Sequence, residues 1–187
     1  MINFNSINNN WCLFLDRDGV INHEIKGKYV NTWSEFVFHE GVPEAFRIFN
    51  RLFKRIIIVT NQRGVSKGLT QLKDLQTIHI NMQETITNKG GRIDAIYFCI
   101  EQDDSSPCRK PNTGMALEAI KQFPDIDFKK AIMVGDKLSD MAFGRNLGMQ
   151  TAFISNGRNE INAIDKSIDE VFDSLINFAR ALPADKL

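Results

Sequence analysis

Short apolar runs of strand length alternate with amphipathic stretches along most of this chain, and that alternation restricts the fold more than any other feature. Cys12 to Leu15, Ile56 to Val59, Ile93 to Phe98, Lys130 to Gly135 and Thr151 to Ile154 read as strands, with Asp169 to Phe172 as a short edge strand. Their β-branched and near-continuous apolar character suits strands buried on both faces. Between them lie segments of helical spacing. Pro43 opens one whose buried stripe is Ala45, Phe46, Phe49, Leu52 and Phe53. Others run from about Leu72 to Lys89 behind a Thr70 cap, from Thr113 to Gln122, from Asp140 to Leu147, and from a Ser174 cap to Leu182. Strands and helices in this order predict an α/β chain, a mainly parallel central sheet with helices on both faces.

Folds of that class bind ligands at the carboxyl ends of their strands. Here the first strand ends in Asp16-Arg17-Asp18-Gly19, the second in Thr60-Asn61, the third leads to Arg109-Lys110, and the fourth ends in Gly135-Asp136 with Asp140 close behind. One edge of the sheet therefore collects nearly all the chemistry. Asp16 and Asp18, two positions apart in an extended segment, face one spot. Like charges held together need a cation or a shared proton to offset them. Carboxylate oxygens of this kind suit Mg²⁺, which takes one or two carboxylates plus substrate phosphate. Lys110, the Thr60 hydroxyl and the N–H groups of the Asp18-Gly19 turn suit a bound phosphoryl group, and a carboxylate can itself attack phosphorus. Each residue also has a plainer reading. Asn61 fits a turn as well as a substrate contact, Asp140 fits a helix cap, and Lys137 fits an exposed surface.

Composition narrows the partners. Lys+Arg and Asp+Glu both number 23, so the formal net charge is zero and a broad nucleic-acid surface is not expected. No apolar stretch approaches bilayer length. Met1 to Asn10 is Asn-rich and lacks the basic start and apolar core of a secretory signal, so it reads as a flexible leader to a single domain, residues 11–187. Three widely spaced Cys give no disulfide framework and suit a reducing compartment. A cytoplasmic monomer acting on a small phosphorylated metabolite, with no membrane or nucleic-acid partner, is the expectation.

Taken together, the four blocks resemble those of the haloacid dehalogenase-like phosphatases, in that family's order and from about Trp11 to Asp173. The resemblance implies a Rossmann-like three-layer sandwich and a role for each matching position. Asp16 is then the nucleophile and a Mg²⁺ ligand. Asp18 is the acid and then the base, and binds the metal through its backbone carbonyl. Thr60 and Lys110 contact the phosphoryl group, Asp136 is the second carboxylate ligand, and Gly19 and Asp140 support the site. Phe14 to Asn22, Val59 to Val65, Cys108-Arg109-Lys110-Pro111 and Gly135 to Met141 are most similar to the branch of heptose 1,7-bisphosphate phosphatases. Histidinol-phosphate phosphatases stand beside it as an alternative, and a phosphoaspartate receiver is the non-enzymatic one. The resemblance gives Arg109, like Asn61, a substrate contact.

One loop departs from those relatives, which carry a zinc site of Cys and His before Arg-Lys-Pro. Cys99 and Cys108 remain, but Glu101 and Ser106 stand at the other ligand positions, so structural Zn²⁺ is not expected. The intervals between the blocks are too short for a separate lid, which predicts a capless site.

Overall fold

In the computed structural model, which describes residues 1–157 and 165–183, six strands form one sheet. Central β1 (Cys12–Leu15) is flanked on one side by β2 (Arg55–Asn61) and β3 (Ala95–Cys99). On the other lie β4 (Ala131–Gly135), β5 (Gln150–Ile154) and β6 (Glu170–Phe172), and every neighbouring pair is parallel.

Register and the alternation of side chains create two cores. Leu13 and Leu15 lie opposite Ile56 and Ile58 of β2 and Ile132 and Val134 of β4, and all six are buried on one face. That face is covered by α1 (Val42–Leu52), α2 (Leu72–Asn88) and α5 (Leu175–Arg180). Cys12, Phe14, Ile57, Val59 and Met133 point the other way, under α3 (Gly114–Gln122) and α4 (Leu138–Asn146). Burying a side chain of the size of Leu13 or Phe14 contributes about 1.5–3 kcal/mol. The sheet is thus fixed from both sides, and its carboxyl edge becomes a rigid shelf.

Several expected boundaries shift. β3 starts at Ala95, and α4 starts at Leu138, which puts Asp140 inside its first turn. Ser174 does cap α5, its hydroxyl accepting the Asn177 N–H at 3.3 Å. Thr70 does not cap α2. The residue before that helix is Gln71, and the Thr70 hydroxyl donates instead to Asn31 Oδ1 at 2.6 Å. Residues 1–10 differ most from expectation. Ile2 and Ile7 are buried in the larger core, and Phe4 packs edge-on against Phe172 of β6. Among the described residues, no helix is long and apolar enough to cross a membrane.

Candidate active site

The backbone ladder carries β1 straight into the site, with the Asp16 N–H bonded to the Val134 carbonyl at 2.9 Å. The chain then turns sharply. The Arg17 carbonyl accepts from the amides of Val20, Ile21 and Asn22, and Gly19 adopts a φ of 87°. Glycine is required there twice over: the left-handed conformation disfavours a side chain, and a Cβ would lie 2.3 Å from Asp136 Oδ2. Removing that one carbon lets the Asp136 carboxylate lie against the turn. Gly135 does the same for Asp140, whose Cβ would be 2.2 Å from a Cβ at that position.

Lys110 reaches this shelf from the loop after β3. Its ammonium donates to Asp16 Oδ1 at 2.8 Å and lies 2.7 Å from Asp140 Oδ1, with all three side chains buried. The other Asp140 oxygen accepts the Lys137 N–H at 3.0 Å. Asp140 therefore satisfies an amide at the start of α4 and balances a buried cation at once. Asp16, Asp136 and Asp140 each bring a carboxylate oxygen within 4.8 Å of the others. Burial, partly offset by Lys110, lifts the Asp16 pKa to about 6, and burial together with Asp16 lifts that of Asp136 to about 7. For Lys110, burial pulls downward, but the neighbouring Asp140 and Asp16 outweigh it and raise its pKa.

Asp18 has the opposite surroundings. Arg17 Nη2 donates to both of its oxygens at 2.9 Å, Asn22 Nδ2 to Oδ1 at 2.9 Å, and Gln62 Nε2 to Oδ2 at 2.7 Å. Burial works against the charge, yet the Arg17 guanidinium and these hydrogen bonds hold the Asp18 pKa below the usual carboxylate range. Arg17 is 1% exposed and is anchored from behind by the ring nitrogen of His79 on α2, at 3.1 Å from Nη1. Sequence reasoning missed Arg17, Gln62 and His79 as a group. The available signal was a charged residue between two carboxylates in a run that otherwise reads as core.

Asn61 lines the cleft and is also tied to the protein. Its Oδ1 accepts the Lys110 N–H at 3.0 Å and its Nδ2 donates to the Lys110 carbonyl at 3.2 Å, so both ends of the amide grip the lysine's own backbone. Arg109 Nε donates to Asp104 at 2.7 Å, while its buried Nη1 has no hydrogen-bond partner among the described residues. Asp16, Asp18, Thr60, Asn61, Arg109 and Lys110 all line one cleft of about 820 Å³. Its outer wall is the loop from Glu24 to Val30, tied across the opening by the ion pair of Glu24 with Lys137.

The cysteines require a correction. Cys99 and Cys108, expected to be unpaired, are joined in a disulfide with Cα atoms 5.5 Å apart, whereas Cys12 is free and buried. Spacing along the chain hid this, because the end of β3 and the segment before Lys110 meet only in the folded sheet edge. With both sulfurs bonded to each other and Glu101 exposed, this loop does not fit a zinc ion. The carboxylate group does fit magnesium. Its donors are hard oxygens, Gly19 lets the Asp136 carboxylate lie against the turn beside Asp16, and three carboxylates face two ammonium groups, Lys110 and Lys137, which leaves room in the charge balance for a cation.

Comparison with known proteins agrees with this fold. The HAD-hydrolase-like family model matches residues 107–178, the part that carries Lys110, Asp136 and Asp140. The D-glycero-alpha-D-manno-heptose-1,7-bisphosphate 7-phosphatase of Mycobacterium bovis is 35% identical over 92% of this chain and 91% of its own. The D-glycero-beta-D-manno-heptose-1,7-bisphosphate 7-phosphatase of Helicobacter pylori is 37% identical over 75% and 80%. Among solved structures, the D,D-heptose 1,7-bisphosphate phosphatase of B. bronchiseptica, complexed with magnesium and phosphate, superposes with a TM-score of 0.81 at 28% identity, covering 91% of this chain and 96% of that one. Six parallel strands, a shelf of carboxylates and relatives matched along most of their length lead to one assignment: the chain belongs to the haloacid dehalogenase-like phosphatases, in the branch of the heptose 1,7-bisphosphate phosphatases.

Proposed function

We propose that this protein is a Mg²⁺-dependent phosphatase that removes the 7-phosphate of a heptose 1,7-bisphosphate through a phosphoaspartate on Asp16, working as a single-domain cytoplasmic monomer. The observation that carries the reading is the buried triad of Asp16, Lys110 and Asp140 on the floor of an open cleft. Lys110 engages one oxygen of Asp16 and leaves the other to attack phosphorus. As the new Asp16–phosphorus bond forms, the ester bond breaks, and Asp18, having taken up a proton from solvent, gives it to the departing sugar oxygen. Asp18, now a carboxylate, takes a proton from water, which attacks the phosphoaspartate and releases orthophosphate and free Asp16.

Lys110 and the Thr60 hydroxyl stabilise charge on the phosphoryl oxygens during both steps. Asp16, Asp136 and the backbone carbonyl of Asp18 would hold Mg²⁺, which would supply the positive charge that lets a carboxylate and a phosphate approach each other. Arg109, with one buried nitrogen still free, and Lys137 at the opening suit a second phosphate on the same substrate. The two relatives differ in the anomer their names give, so both anomers belong in the test.

Phosphate release is measured from both anomers of heptose 1,7-bisphosphate, from sugar monophosphates and from histidinol phosphate, with Mg²⁺ or with chelator. Fastest release from a heptose bisphosphate, dependent on Mg²⁺ and lost in Asp16→Asn, is the expected result. Activity that survives either the chelator or that substitution at the parent rate overturns the nucleophile and metal assignments. Preference for histidinol phosphate overturns the substrate.

A further inference from the structure

Gln62 lies just beyond β2, 5% exposed, between the residue proposed to bind phosphate and the residue proposed to move protons. Its amide nitrogen is 2.7 Å from Asp18 Oδ2 and 2.9 Å from Thr60 Oγ1, and its amide oxygen is 3.4 Å from Arg17 Nη2. Chemistry alone orients this amide. A carboxylate only accepts and a guanidinium only donates, so the nitrogen must face Asp18 and the oxygen must face Arg17. The second hydrogen on that nitrogen then goes to Thr60.

This has a consequence for the hydroxyl. Thr60 Oγ1 accepts from Gln62, so its single hydrogen is not directed at Gln62 and is left for another acceptor. Thr60 is 1% exposed and lines the same cleft as Asp16 and Lys110, where the transferred phosphoryl group brings acceptor oxygens. Arg17 fixes the other end of the amide and is itself pinned by His79, whose ring nitrogen must be the acceptor of that contact. The chain of bonds runs from α2 through Arg17 and Gln62 to Thr60. We propose that Gln62 is a positioning residue, whose single planar amide turns the Thr60 hydroxyl towards the phosphoryl group and holds the Asp18 carboxylate in register with it. This deepens the phosphatase reading and rests on it.

The test uses two substrates and the full-length chain with Mg²⁺. An alkyl sugar phosphate has a poor leaving group and needs Asp18 as acid. p-Nitrophenyl phosphate has a good leaving group and hardly needs it. Gln62→Glu keeps the shape but presents only acceptors, so it draws the Thr60 hydrogen to itself and repels Asp18. Gln62→Leu removes all three bonds and covers the case in which the charged variant does not fold.

Either variant is expected to lose roughly 100-fold in kcat on the alkyl phosphate, within the range that general acid–base catalysis supplies, and about 10-fold or less on the aryl phosphate. Inhibition by inorganic phosphate should weaken about 10-fold in both Thr60→Val and Gln62→Glu, and the double substitution should be no worse than either alone. Equal losses on the two substrates, or losses from Thr60→Val and Gln62→Glu that simply multiply, overturn the proposal while leaving the phosphatase intact. A parent protein that hydrolyses neither substrate overturns the function, and the role of Gln62 with it.

Discussion

Asp16 and Asp18 stand two residues apart in one turn, and the protein surrounds them in opposite ways. Asp16 shares a buried shelf with Asp136 and Asp140, where one ammonium serves two carboxylates and burial lifts its pKa to about 6. Asp18 lines the same cleft but sits in a cage of donors from Arg17, Asn22 and Gln62, and its pKa is held down despite burial. One half of the site is short of positive charge and the other has a full complement of donors. Separate duties explain the difference. The first half awaits a cation and a phosphoryl group. The second keeps a carboxylate ready as a base, so its acid step requires the carboxyl group to take up a proton first.

The largest effect should be a difference in stability between two matched substitutions. Asp18→Asn leaves a buried guanidinium facing a neutral amide and should lower stability by about 3 kcal/mol at pH 8, the usual cost of breaking a buried pair. Asp16→Asn leaves the contact between Lys110 and Asp140 in place and removes one charge from a crowded group. In chelator at pH 8 it should leave stability unchanged or raise it. The pH dependence follows from the sign of the shift. A depressed pKa contributes stability above the ordinary carboxylate range and loses it as pH falls through that range. The gap between Asp18→Asn and the parent should therefore narrow below about pH 4. Urea unfolding of all three proteins checks this, and equal destabilisation by both substitutions would erase the contrast.

The shelf could be read from the sequence, and the cage could not. Asp16, Lys110 and Asp136 follow strands and Thr60 sits near the end of one, and strand ends in a parallel sheet share an edge, so their meeting follows from order along the chain alone. Arg17 and His79 meet because a long side chain turns back from a strand end to a helix on the covering layer, which no local period encodes. Asn61 was legible as a polar residue at a strand end, but its bonds to the backbone of Lys110 were not, since that residue comes from a different loop. Composition misled at residues 1–10, where polar Asn residues surround Ile2 and Ile7, two side chains that the core takes up.

Magnesium should sharpen the contrast further. Without metal, the lifted pKa values of about 6 for Asp16 and about 7 for Asp136 mean that the folded protein holds more protons than the unfolded chain above the ordinary carboxylate pKa. Stability of the metal-free protein therefore falls as pH rises through that window. Metal binding needs those oxygens ionised, so Mg²⁺ restores most where protons are fewest. At a metal concentration about 100 times its Kd, the gain is about 2.7 kcal/mol. Thermal unfolding with and without Mg²⁺ should show an increment that is small at pH 5 and large at pH 8. Asp136→Asn should lose that increment and Asp18→Asn should keep it, because the carboxylate of Asp18 is outside the shelf. An increment that does not change with pH would remove the carboxylates from the metal site.

The smallest effect concerns how Lys110 is held for Asp16. Asn61 satisfies both backbone groups of Lys110 and so sets where the ammonium begins its reach into the shelf. Asn61→Ala leaves an N–H and a carbonyl without those partners and should cost about 1–2 kcal/mol of stability. The kinetic pattern separates this role from a direct substrate contact. A residue that only places Lys110 acts on charge developing at the phosphoryl group, so kcat should fall with KM nearly unchanged. Loss of a substrate contact raises KM instead. Asn61→Asp adds a discriminating arm: its carboxylate can accept the Lys110 N–H but cannot donate to the carbonyl, and should recover part of the lost kcat. If KM rises while kcat holds in both variants, Asn61 belongs with the substrate, and the amide contacts seen here give way when the sugar phosphate binds.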